Sequence, residues 1–145
     1  MYKHILVPTD GSKLSDKAVK EAVALAARLN AKVTLLHVSP MQIWPMYAES
    51  AVMMAEYRGG DFRAEIKREG EAMLAKAAKR AGGAVATLNV LGDVPYDAIV
   101  KAAAKTKCDL IVMASHGRSG VSELFLGSET QKVLAHSKLP VLVVR

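Results

Sequence analysis

The chain reads as an α/β protein with a mostly parallel sheet and helices on both faces. Three observations predict this. Short apolar runs alternate with segments of helical periodicity along the chain. Hydrophobic residues make up 51% of the 145 and aromatics only 5%, a balance that suits aliphatic packing of helices on a sheet. A glycine-bearing loop joins an apolar run at 110–113 to a helical pattern that begins at Glu129.

The first strand spans 3–8, with Ile5, Leu6 and Val7 at its centre. Thr9, Asp10, Gly11 and Ser12 form a turn and a helix start. Leu14, Ala18, Ala22, Leu25, Ala26 and Leu29 then recur at helical spacing, and Asn30 marks the stop. The second strand is 32–38. Residues 39–60 hold four methionines, Trp44, Pro40, Pro45 and the pair Gly59 and Gly60; they read as a connection with a short helix at 49–57. The next helix covers 61–81, with Phe62, Ile66, Met73 and Ala77 as its buried stripe. Gly70 inside it costs about 1 kcal/mol relative to Ala. Gly82 and Gly83 end it, and a third strand follows at 84–90.

Pro95 suits the first turn of the third helix of the repeating pattern, with Ile99, Val100 and Ala103 facing inward. The fourth strand is 110–114, the last helix 129–137, and the fifth strand 140–144. The whole chain, 1–145, reads as one domain. In such sheets ligands bind outside the carboxyl ends of the strands, where the strand order reverses. The ends of the first and fourth strands border that crevice.

Composition excludes several function classes. One cysteine, Cys108, permits no internal disulfide and no cysteine metal cluster, and it reads as a buried inert thiol. The four histidines lack metal-ligand spacing. The net charge of +6 is spread over several helices and mixed with acids, which argues against nucleic acid and for a small anionic ligand. The apolar runs are too short to span a bilayer, and the N-terminus lacks signal-peptide features, so the expected location is cytoplasmic. There is no GxxxxGK[ST] phosphate loop, no GxGxxG after the first strand and no nucleophile-elbow context. No nucleophile is paired with an identifiable general base, so any hydrolysis would be very slow.

Two polar clusters remain. Asp10 has two readings: a carboxylate that accepts ribose hydroxyls, or a turn and capping residue. Gly117 and Gly127 bracket nine residues ahead of a helix start, where unpaired N–H groups can meet a phosphate. Their other reading is turn punctuation. Ser128 and Gln131 fit a capping box, which needs no ligand. His116 reads as a phosphate donor or a solvated loop histidine, and Arg118 as an outer phosphate contact.

These residues resemble the universal stress protein family. The resemblance lies in 4–12, in His37 and Val38, in 108–117 followed after nine residues by Gly127 and Ser128, and in 137–144. It implies a Rossmann-like fold of the adenine nucleotide alpha hydrolase type, with strand order 3-2-1-4-5. It also implies a homodimer through the C-terminal strand Val141–Val144 and a site for adenine nucleotide: ATP with Mg²⁺, or AMP or ADP. Carried over, Pro8, Thr9 and Val38 would line the adenine pocket and Asp10 would hold the ribose. Met113, His116, Gly117, Gly127 and Ser128 would surround the phosphates. Two positions depart from the family pattern. Ala114 stands at the first motif glycine, and Glu129 stands where an apolar residue is usual. A carboxylate there suits a helix N-terminus but repels a triphosphate unless a divalent metal bridges them. The implied role is nucleotide-dependent regulation in a stress response. The alternative is a dimeric interaction protein with a vestigial site.

Overall fold

The computed structural model describes residues 1–41, 62–118 and 125–145. The short helix expected at 49–57 lies outside them. Among the described residues, five strands and four helices run in the order β1 (His4–Pro8), α1 (Lys13–Leu29), β2 (Lys32–Ser39), α2 (Phe62–Ala81), β3 (Ala86–Leu91), α3 (Pro95–Lys105), β4 (Leu110–Ala114), α4 (Ser128–His136) and β5 (Val141–Val144). All strand pairs are parallel and the sheet order is β3-β2-β1-β4-β5. The fold is the five-stranded, Rossmann-like sheet expected.

The alternation of side chains along each strand divides the core between two faces. Ile5, Val7, Leu35, Leu110 and Val112 meet Val19, Ala22 and Ala26 of α1 and Leu74 and Ala77 of α2. Leu6, Leu36, Ile111 and Met113 meet Ile99, Ala102 and Ala103 of α3 and Val133 of α4. The central strands are apolar on both faces because both faces are covered.

Local chemistry sets the boundaries. Ser12 caps α1 by accepting the Ser15 N–H at 3.2 Å. Asn30 ends it in the left-handed region at φ 54°, where Asn is tolerated. The buried stripe of α1 is Ser15, Ala18, Val19, Ala22 and Ala26; Leu14, Leu25 and Leu29 sit at its half-buried margin. In α2 the stripe is Gly70, Leu74 and Ala77, and Phe62 is exposed. A Cβ on Gly70 would lie 2.4 Å from Ser39 Oγ and 2.5 Å from Asn89 Oδ1. Glycine therefore lets α2 lie directly on a polar pair, in which Ser39 Oγ donates to Asn89 Oδ1. β3 starts at Ala86 rather than 84, because Thr34 is the first β2 residue with a partner there. Cys108 is buried beside Thr106; burial pushes its thiol pKa up, which keeps it inert.

Candidate functional site

The carboxyl ends of β1, β2 and β4 open into a cleft of about 580 Å³. All twelve residues singled out in the sequence border it: Pro8, Thr9, Asp10, Val38, Met113, Ala114, His116, Gly117, Arg118, Gly127, Ser128 and Glu129. The volume suits a ligand of nucleotide size.

The β1 side is built first. The Thr9 N–H extends the ladder to Leu36 O at 2.8 Å. The Thr9 hydroxyl is buried against Ser15 Oγ at 3.0 Å. Gly11 turns the chain at φ +75°, a left-handed conformation that favours glycine. The turn leaves Asp10 on the cleft wall. Its Oδ1 accepts the Ser12 N–H and its Oδ2 accepts the Arg118 N–H, each at 2.9 Å. Burial opposes ionisation of Asp10, but hydrogen bonds from Ser12 and Arg118 outweigh it and hold its pKa below the usual carboxylate value. Asp10 is thus a fixed anion. It does not cap α1, because Ser12 does.

The β2 side contributes Val38 and His37. His37 Nδ1 bonds the Thr9 carbonyl at 3.0 Å. A carbonyl can only accept, so this nitrogen carries the proton. Val38, Leu36, Ile99 and Met113 supply an apolar wall.

The β4 side carries the loop. The strand ends with Ala114, 8% exposed, whose carbonyl accepts the buried Thr130 hydroxyl at 2.9 Å. The Gly127 N–H returns to Ser115 O at 2.7 Å. A Cβ on Gly127 would lie 3.0 Å from His116 Cα. Glycine thus seats the N-terminus of α4 on the tip of β4. Gly127 is the N-cap, and no side chain caps this end. The expected Ser128–Gln131 capping box does not form: Ser128 is already the first helical residue, and Gln131 Nε2 donates to Leu126 O instead. This helix start, Gly127 to Thr130, lines the cleft without a side-chain cap.

Arg118 reaches back over the β1 turn, with Nη2 3.4 Å from where a Gly11 Cβ would stand. Glu129 borders the cleft, but its oxygens are engaged: Oε2 accepts the Tyr96 N–H at 2.9 Å, and Oε1 meets Lys132 Nζ at 3.0 Å. Sequence reasoning missed His37, Pro95, Ile99, Phe125 and Thr130 as lining residues. Ile99 and Pro95 carried only a helix signal, and nothing in their own pattern marks a cleft wall. Among the described residues, no group of His, Cys, Asp and Glu could hold a metal ion. No described helix is long and apolar enough to cross a membrane.

The cleft thus brings together an apolar wall, a fixed carboxylate and a helix start without a side-chain cap. A sequence model of the universal stress protein family matches residues 1–145. The chain belongs to this family. Among relatives, the universal stress protein YxiE of Bacillus subtilis is 34% identical over the full length of both chains. The universal stress protein MJ0531 of Methanocaldococcus jannaschii is 35% identical over all of this chain and 83% of its own. The structure of MJ0577, a universal stress protein of the same archaeon, matches with a TM-score of 0.76 and 33% identity, over 99% of this chain and 96% of that one. A universal stress protein in complex with cAMP matches with a TM-score of 0.65 and 31% identity, over 99% of this chain and 97% of the other.

Proposed function

We propose that this universal stress protein binds adenine nucleotide in the cleft and acts in the cytoplasm as a nucleotide-dependent regulator of a stress response. One observation carries the reading. Asp10, the apolar wall of Val38 and Met113, and the uncapped start of α4 converge on a single cleft of about 580 Å³. The relative solved with cAMP supports it. Pro8, Thr9 and Val38 would flank the base, and the Asp10 carboxylate would accept the ribose hydroxyls. Gly117 and Ser128 would present backbone N–H groups to the phosphates, Gly127 would leave room for their approach, and His116 and Arg118 would stand beside them. Bound Mg²⁺ would neutralise part of the phosphate charge and would come with the nucleotide. The ligands are ATP, ADP or AMP. Titration calorimetry with ATP and AMP, with and without Mg²⁺, tests this. Heat that saturates at one site per chain is expected; no heat at millimolar concentrations would remove the function.

A homodimer through β5 belongs to the same proposal. β5 is an edge strand, and Leu142 on it is 44% exposed. Edge strands seek partners. Light scattering should give a dimer for the native chain and a monomer for Leu142→Glu. A native monomer would overturn the proposal.

A further inference from the structure

We infer that Glu129 sets the phosphate charge this cleft accepts, favouring adenine nucleotides with one phosphate over the triphosphate. The inference rests on the nucleotide reading and adds a specificity residue to it.

Glu129 stands in the first turn of α4 and borders the same cleft as Gly117, Gly127 and Ser128. Its carboxylate is tied on both oxygens, to the Tyr96 N–H and to Lys132. Tyr96 lies in the first turn of α3, whose N-cap Val94 provides no side-chain cap. If Glu129 swung away, the start of α3 would lose its acceptor. Lys132 is placed as well, with Nζ 5.6 Å from the Tyr96 ring centroid. The anion is therefore held in place between the starts of α3 and α4, on the border of the cleft.

Its compensation is partial. The side chains of Glu129 and Lys132 are 36% and 49% exposed, so water weakens their pairing. Asp10 is a second fixed anion on the same cleft, and Arg118, whose backbone N–H it accepts, is a cation that borders it. One phosphate can use the open N–H groups of α4 with limited repulsion. Each added phosphate brings more negative charge against a carboxylate that cannot retreat.

The test is calorimetry with AMP, ADP and ATP in metal-free buffer, on the native chain, Glu129→Gln and Lys132→Gln. The glutamine oxygen can still accept the Tyr96 N–H, so the fold is kept; melting curves check this. The native chain should bind AMP about tenfold more tightly than ATP, the scale of one screened charge interaction. Glu129→Gln should raise ATP affinity about tenfold and move AMP much less. Lys132→Gln should widen the native preference. Equal AMP and ATP affinities in the native chain, or equal gains for both in Glu129→Gln, would overturn this inference and leave the nucleotide reading standing. Failure of every nucleotide to bind would overturn that reading and this inference together.

Discussion

Two aspartates sit at opposite ends of β1 and use the same chemistry for different ends. At the start, Asp109 accepts the Lys3 N–H at 2.8 Å and the His4 N–H at 3.0 Å. At the finish, Asp10 accepts the Ser12 and Arg118 N–H groups, each at 2.9 Å. Both carboxyls are held below the usual pKa. Desolvation opposes this in each case; backbone N–H donors outweigh it at Asp109, and the Ser12 and Ser15 side chains together with the Ser12 and Arg118 N–H groups outweigh it at Asp10. Asp109 joins the segment before β4 to the first residues of β1, so its bonds close the sheet. Asp10 lies on the wall of a cleft, and one of its donors, Arg118, borders the same cleft. Similar hydrogen bonding thus gives a structural clamp at one end and, in the proposed function, a recognition group at the other. What differs is the open volume beside it.

Three perturbations probe this contrast, in falling order of effect. Gly127→Ala forces a methyl against His116 Cα at 3.0 Å and Ser115 O at 3.2 Å. It should lower unfolding stability by about 1–3 kcal/mol, read by denaturant melts, and weaken nucleotide binding as α4 shifts. A smaller effect comes from the clamp. Asp109→Ala should cost about 1 kcal/mol, the scale of a lost hydrogen bond at a half-buried, partly screened charge, and leave nucleotide affinity unchanged. A change in affinity would erase the division between the two ends. The smallest effect is in acid. A depressed folded pKa means that the ionised group contributes stability above its unfolded value near 4, which is lost as pH falls through the folded pKa. Asp109→Asn should therefore flatten the melting profile below about pH 4 and change it little at pH 7. An unchanged acid limb would show that the clamp adds nothing.

Every described strand and helix was legible because apolar runs alternate with helical periods, whereas the sheet order came from the family resemblance, since alternation alone does not set which strands are neighbours. The finer errors have physical causes. Leu14, Leu25 and Leu29 looked like core, but small Ser15, Ala18 and Ala22 let α1 sit close to the sheet, which pushes the leucines to its margin. Gly70 looked like a defect in α2 and is the point of closest approach to Ser39 and Asn89. At the cleft, glycines, Asp10 and Ser128 announced themselves by residue type and spacing. Glu129 was legible as an anion at a helix start. Its ties to Tyr96 and Lys132 were not, since the Tyr96 contact joins helices 33 residues apart. The capping box between Ser128 and Gln131 failed because Gly127, bonded to Ser115 O, takes the N-cap place.

The central claim is that the carboxyl end of the sheet recognises nucleotide while the other end holds the fold. An NMR titration of the ¹⁵N-labelled chain with AMP tests it most directly, since each backbone N–H reports its own surroundings. The amides of Ser12, Arg118, Ser128 and Glu129 should shift in a saturable way, while those of Lys3 and His4 stay fixed. Saturating AMP that leaves the Arg118, Ser128 and Glu129 signals unmoved, or that shifts Lys3 and His4 as strongly, would contradict the account.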